Sequence, residues 1–271
     1  MSDQTENAER VESLFPELPK ARKIEMTDPW LWLVAGWKDL KRGCWLSLAY
    51  GLTFAISSVI LISILVYMDL YRMILPGLAG FMLMGPILAV GLFHASRCME
   101  CNTNCTFSKA WRVRTKAPSQ LMFISAILLL ATLFWLRIGV VIYTLFFGLE
   151  GVGDKNVMDA VLFTGNGLMM LAVGSIVGGF IATLIFAVSV FSIPMLMIRD
   201  CDALSAIIFS ISAFIKNFAP MMLWGVMITV LVGFGFLTGF IGFIITYPLA
   251  AHASWHAFRS VIDVPGGLSC E

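Results

Sequence analysis

Three histidines are the side chains of this sequence best suited to binding a cofactor. His252 and His256 are four residues apart, so both lie on one face of a helix. Imidazole nitrogens bind haem iron, copper and zinc, often from the helices of a bundle, although HxxxH lacks the glutamate of a zinc protease motif. His94, His252 and His256 are therefore candidate ligands of haem or a metal. Packing at the membrane interface and pH sensing are the alternatives.

A cysteine cluster follows His94 closely. The segment CMECNTNC places Cys98, Cys101 and Cys105 at spacings suited to thiolate ligands, and zinc takes four such ligands in a tetrahedral site. The cluster stands alone, without a partner CxxC. It is a candidate metal site, and ordinary reduced cysteines are the alternative.

Arg137 is the only charged residue inside a predicted membrane span, and it lies two residues after Trp135. A long basic side chain near the end of a span can extend to the membrane surface at little cost. If Arg137 instead faces the helix bundle, it is a candidate for binding an anion or a lipid headgroup.

Motifs of catalysis are missing from the sequence. We find no phosphate loop, no nucleophile elbow and no dinucleotide fingerprint. No acidic residue lies within a predicted span, which argues against a proton-coupled transporter built on buried carboxylates. We therefore assign no catalytic residues, and the sequence favours a non-enzymatic protein.

The composition is that of a membrane protein. The 271 residues are 59% hydrophobic and 13% charged, whereas charged residues make up about a quarter of soluble proteins. Long apolar runs reach the roughly 20 residues that a membrane-spanning helix needs. The sequence predicts an all-α, polytopic bundle of six transmembrane helices. We predict the six spans at residues 45–67, 76–96, 121–147, 167–190, 219–236 and 238–258.

The distribution of basic residues predicts the orientation of the chain. Fifteen of the 18 Lys and Arg fall in the N-terminal tail, the 97–120 loop, the 198–218 loop and the C-terminal end. The positive-inside rule places these segments in the cytoplasm. We expect a multi-pass protein of the bacterial inner (cytoplasmic) membrane with both termini cytoplasmic. The net charge of +1 gives no indication of a nucleic-acid partner.

The domain organisation follows from the same pattern. Residues 1–27 are polar and lack an apolar core, so we predict a disordered cytoplasmic tail. Residues 28–259 form the six-span transmembrane domain, and residues 260–271 form a second cytoplasmic tail.

Part of the chain is duplicated. GFMLMGPILAVGLFHASR at 80–97 aligns without a gap on GFIITYPLAAHASWHAFR at 242–259, with seven identities that include Pro86 with Pro248 and His94 with His256. We expect both prolines to kink equivalent helices at matching depths. The sequence therefore predicts internal repeats.

Amphipathic helices precede the spans. Asp28 and Pro29 favour a helix start at 28–41, and Asp202 opens a similar segment at 202–216. Residues 105–117 hold the corresponding place before the third span. Each segment is expected to lie in the membrane interface, because its apolar stripe is opposed by a polar face.

Several motifs together resemble a bacterial family of predicted integral membrane proteins, domain of unknown function 2189. The resemblance covers roughly residues 30–262. It rests on GWKDL with SLAYG, GPILAVGLFHASR, WLRIGVVIYTLFFG, SIPMLMIRDCDALSAIIFS, NFAPMMLW and PLAAHASWHAFRSVI. The family implies a six-span membrane domain, and its patterns map to Arg137, His252 and His256. The cysteine cluster departs from the family loop, which is usually polar and poor in cysteine.

Two classes of function are compatible with these observations. The first is a non-enzymatic membrane protein, either a membrane-organising and interaction component or a permease-like carrier. The second is a haem- or metal-handling accessory protein linked to a respiratory oxidase, which the labels of some family members imply. In both cases the partners are the lipid bilayer and other membrane proteins.

Overall fold

The computed structural model describes residues 19–103, 115–148 and 157–262. These residues are mostly helical, with one isolated antiparallel bridge between Ala21 and Ile262. We number the helices in chain order as α1 Asp28–Arg42, α2 Cys44–Tyr67, α3 Ile74–Leu83, α4 Gly85–Leu88, α5 Val90–Glu100, α6 Pro118–Phe147, α7 Val157–Phe163, α8 Gly165–Ser189, α9 Ser192–Ile198, α10 Ala203–Lys216, α11 Phe218–Leu237 and α12 Phe243–Val261.

Four helical stretches are long and apolar enough to cross a membrane. They are α2, α6, the continuous stretch Gly165–Ile198 and α11. Many of their large apolar side chains are exposed, as lipid-facing side chains must be. The first, third, fourth and fifth predicted spans are thereby confirmed as candidates, with bounds that differ by only a few residues except after residue 190.

The second and sixth predicted spans are not among these four. The structure divides 76–96 among α3, α4 and α5, with Pro86 as the second residue of α4, whereas Pro248 lies inside the continuous helix α12. A proline lacks the N–H that would bond the carbonyl four residues earlier, and its ring crowds that carbonyl. The two prolines thus interrupt their helices to different degrees, and the six-span count stays a prediction.

Two of the three predicted amphipathic helices form where the sequence predicts them, as α1 and α10. Asp202 caps α10 by accepting the N–H of Ser205 at 2.9 Å. Asp28 does not cap α1, because Thr27 holds the N-cap position and Asp28 is the first helical residue. The carboxylate of Asp28 instead accepts the N–H of Glu25 at 2.7 Å. The predicted third helix at 105–117 lies mostly outside the described residues.

The order of elements recurs in a way that the predicted repeat would require. An amphipathic helix, an apolar span and a helix with a proline follow one another as α1, α2 and α3–α5, and again as α10, α11 and α12. Whether the two groups superpose is untested, so the internal repeat stays a prediction.

The chain divides into two compact units. The first comprises Met1–Ala55, Pro86–Ile124 and Phe186–Glu271, and the second comprises Ile56–Gly85 and Ser125–Ile185. Helix α12 forms the core of the first unit, where Trp255 and Phe258 are fully buried.

The second unit is held together by close packing around α6. The indole N–H of Trp135 donates to the carbonyl oxygen of Pro76 at 2.9 Å. Gly178 faces the same indole, and a Cβ there would lie 2.8 Å from a ring carbon. Gly139 leaves similar room for Pro76. Small residues thus let these helices approach closely.

Candidate functional site

Two glycines bring α1 and α2 against the backbone of α12. A Cβ on Gly36 of α1 would lie 2.6 Å from the backbone nitrogen of Ala253. A Cβ on Gly51 of α2 would overlap the carbonyl group of Ile244. Because no side chain separates the helices at these points, polar residues one turn away can reach side chains of α12 directly. These residues are Asp39 on α1 and Ser47 on α2.

His252 occupies the centre of this packing and is fully buried. Its Nε2 lies 2.8 Å from the hydroxyl oxygen of Ser47. Its Nδ1 lies 2.7 Å from the hydroxyl oxygen of Ser96 on α5. One imidazole therefore joins three helices, and both ring nitrogens are hydrogen-bonded.

Asp39 fixes the direction of these hydrogen bonds. The hydroxyl of Ser96 donates to Oδ2 of Asp39 at 2.8 Å, so its oxygen must accept the Nδ1–H of His252. In the neutral ring Nε2 then accepts the hydroxyl hydrogen of Ser47. In the imidazolium both nitrogens donate, and the Ser47 hydrogen turns away, as helical serines do when they donate to the carbonyl four residues back.

The same carboxylate oxygen also binds the second histidine of α12. Nε2 of His256 lies 2.8 Å from Oδ2 of Asp39, and the two side chains are 29% and 16% exposed. Burial acts to raise the pKa of Asp39, but hydrogen bonds from His256 and Ser96 outweigh it, and the pKa lies below its ordinary value. We call the connected set Ser47, His252, Ser96, Asp39 and His256 the Asp39 network.

A second polar contact ties α5 to the end of α12. Arg259 donates from Nε and Nη2 to Oε1 of Glu100, at 2.9 and 2.7 Å. The indole N–H of Trp255 donates to the other carboxylate oxygen of Glu100 at 3.3 Å. Both partners of the ion pair are partly exposed, so its contribution to stability is modest.

The three predicted histidine ligands have different contacts in the structure. His252 and His256 share the Asp39 network, whereas Nε2 of His94 lies 3.5 Å from the sulfur of Cys98. A metal or haem iron could bind His252 only by displacing Ser47 or Ser96. Among the described residues, no group of three or more His, Cys, Asp or Glu is arranged to hold a metal ion. A haem or metal site on these three histidines stays a prediction.

The predicted cysteine ligands differ in state. Cys98 is buried and free, Cys101 is disulfide-bonded, and Cys105 lies outside the described residues. A sulfur in a disulfide is not a thiolate, so Cys101 would have to be reduced before it could bind zinc. The metal site on these cysteines stays a prediction.

Arg137 has an exposed side chain on α6. Exposure favours the interpretation that it extends along the lipid-facing surface toward the membrane boundary. A role in binding an anion or headgroup there stays a prediction.

Sequence reasoning missed Asp39, Ser47 and Ser96. Asp39 lies outside the predicted spans, so the argument against buried carboxylates did not consider it. A signal was present for Ser47: Ser47 and Gly51 are four residues apart and lie on one small-residue face of α2.

The Asp39 network lies among the helices of a chain that contains several candidate membrane spans. Similarity to known proteins also indicates a membrane protein. No curated protein and no solved structure matches the chain. Residues 74–197, just under half of the chain, match the family model described as a predicted integral membrane protein (DUF2189). Over these residues the chain is similar to the family that the sequence motifs resemble, domain of unknown function 2189.

Proposed function

We propose that the protein is a permease-like carrier of the cytoplasmic membrane that couples movement of a small solute to movement of a proton. The observation that supports this function is the Asp39 network. It contains three titratable groups, Asp39, His252 and His256, and links them without a gap over distances of 2.7–2.8 Å.

The energetics of the network support a role beyond packing. Ionisable side chains in the interior of a membrane protein are costly, and they commonly mark pathways of ions, protons or substrates. Ser47 and His252 are fully buried at one end, whereas His256 is partly exposed at the other. When the ring of His252 carries its hydrogen on Nε2, Asp39 that has been protonated by His256 can donate to Ser96, and Ser96 can pass its own hydrogen to Nδ1 of His252.

Interrupted helices also favour a carrier. Chain reversals and breaks in membrane helices are characteristic of transporters, where the loosened backbone lines a binding site. Here the helix breaks after Leu83 and again at Ala89, before α5, which carries Ser96.

Hydrogen bonds in the first unit support the orientation proposed from the basic residues. The N–H of Arg22 donates to the carbonyl of Val261 at 2.8 Å. The N–H of Ile24 donates to the side-chain oxygen of Asn217, just before α11, at 2.9 Å. The two ends of the described chain therefore meet beside the start of α11, and we place all three segments on the cytoplasmic side.

Charge movement in proteoliposomes tests the carrier function. Solid-supported membrane recordings are made with amino acids, sugars and carboxylates in turn. One of these solute classes should produce a current, and an inward proton gradient should make that current larger. Ser47→Ala should reduce this current about tenfold, as expected for loss of roughly 1.4 kcal/mol from one hydrogen bond. Ser63→Ala is the matched control, because Ser63 is on the same helix and bonds only locally to the carbonyl of Val59 in the contact described.

Two results would contradict the carrier function. One is the absence of current with every solute class from correctly folded protein in the same vesicles. The other is a current that is unaffected by both the proton gradient and Ser47→Ala. Either result would leave the Asp39 network as a device that fixes helix packing.

Thiol labelling tests the orientation. Cys44 is exposed and Cys201 is half-buried, and we expect a membrane-impermeant reagent to label both in inverted vesicles but neither in intact cells. Met68→Cys supplies the control, because Met68 is 59% exposed at the turn after α2 and should be labelled in intact cells. Labelling of Cys201 in intact cells would reverse the assignment.

A further inference from the structure

Helix α1 has an outer face that the Asp39 network does not use. Trp30, Val34 and Trp37 on this face are 58%, 53% and 41% exposed. Lys38 and Lys41 are exposed beside them. At 3.6 residues per turn these five side chains lie within roughly 100° of the helix circumference. The opposite side of α1 carries the buried residues Trp32, Gly36 and Leu40.

The outer face changes character along the helix. Its first half is apolar and its last turn is basic, where the Lys41 ammonium lies 5.3 Å from the centre of the Trp37 ring. Tryptophan is enriched at the level of lipid headgroups, and a lysine beside it can place its ammonium among phosphates while its stem covers apolar surface. Acidic side chains are missing from this face: Asp28 and Asp39 are the acidic residues of α1, and Asp39 faces α12.

We propose that this outer face, formed by Trp30, Val34, Trp37, Lys38 and Lys41, binds anionic phospholipid of the adjoining leaflet. The apolar half matches the boundary between acyl chains and headgroups, and the two lysines match the phosphate of the headgroup. A soluble phosphate would gain nothing from the tryptophans. A zwitterionic lipid would gain little from the lysines. The combination selects a lipid with net negative charge.

Binding at this face also bears on the Asp39 network. Gly36 and Asp39 are on the inner side of the same helix, against Ala253 and His256 of α12. A lipid that holds the outer face of α1 in place therefore holds Asp39 in register with His256. Lipid binding and the proposed carrier function are nevertheless separable, because the lipid contacts involve none of the network residues.

Native mass spectrometry of the full chain in mild detergent tests the proposal. Phosphatidylglycerol should bind more tightly than phosphatidylcholine, and the preference should weaken as salt is raised. The double variant Lys38→Gln/Lys41→Gln should bind phosphatidylglycerol about 25-fold more weakly, at roughly fivefold for each lysine near the headgroups. Its binding of phosphatidylcholine should be unchanged.

Two controls distinguish a lipid-binding surface from a general attraction for anions. Arg72→Gln removes an exposed basic residue outside α1 and should leave the lipid preference as it is. Soluble glycerol phosphate should not compete, whereas competition by it would indicate an anion site rather than a lipid surface.

The unfolding temperature of the double variant without lipid should match that of the wild type. Equal binding of the two lipids by wild type, or unchanged binding by the double variant, would overturn the proposal.

Discussion

Replacing Gly51 by alanine is expected to lower the free energy of unfolding by about 3 kcal/mol, at the upper end of the cost of overpacking an interior. The added Cβ would overlap the carbonyl oxygen and carbon of Ile244. These are backbone atoms of α12, so no side-chain rotation relieves the overlap and the helices must separate. Ser47, one turn earlier on α2, would then move away from His252. Denaturation of the purified protein in mild detergent, followed by near-ultraviolet circular dichroism, measures the change.

Gly174→Ala is the matched control for this substitution. Gly174 is also inside a membrane helix, and a Cβ there would meet nothing within 4 Å. Its effect on the free energy of unfolding should stay within about 0.5 kcal/mol. If Gly51→Ala proved as stable as Gly174→Ala, α2 and α12 would not approach as closely as the structure shows.

Asp39→Asn is expected to cost about 2–3 kcal/mol of stability at neutral pH. The amide keeps the shape of the side chain and can still accept the hydroxyl hydrogen of Ser96. The amide has no negative charge. The charge of the carboxylate makes its hydrogen bonds with Ser96 and His256 stronger than neutral ones, so the substitution weakens both. The same unfolding measurement at pH 7 gives the difference, and the exposed Asp200→Asn is the control.

The pH dependence of unfolding gives a second measurement on the same variant. The pKa of Asp39 is lowered in the folded protein, so the unfolded state binds more protons in the acid range. The stability that Asp39 contributes is therefore present above its ordinary pKa of about 4 and is lost as pH falls through the lowered value. The wild type should lose stability there, and Asp39→Asn should lack this part of the loss. If the unfolding free energies of the wild type and Asp39→Asn changed in parallel with pH, the carboxylate would not be stabilised by Ser96 and His256 in the folded protein.

The membrane-embedded segments were predictable because the relevant physics is local. Transfer of a side chain into lipid depends on that side chain and its neighbours in sequence. The bounds of α2, α6 and α11 consequently agree with the predicted spans to within a few residues. The start of α10 followed from Asp202, because a helix cap needs only a side chain and an N–H three residues later.

The broken helix before Ser96 was harder to predict. Pro86 and Pro248 occupy equivalent positions of the aligned segments, yet α12 continues through its proline and the other segment is divided. The sequence shows that one backbone hydrogen bond is lost at each proline. Neighbouring helices decide whether the rest of the helix stays regular, because they supply the packing that offsets the loss.

The sequence by itself determined that this chain is an all-α membrane protein, where most of its spans lie and which family it resembles. Only the tertiary structure decided that Asp39 joins His256, and that two serines engage both nitrogens of His252. The physical reason is that hydropathy adds up along the chain, whereas a polar network depends on which helix faces meet. Gly36 and Gly51 determine which faces meet, because they allow close backbone contact with α12. The sequence around Asp39 or His252 does not show this contact.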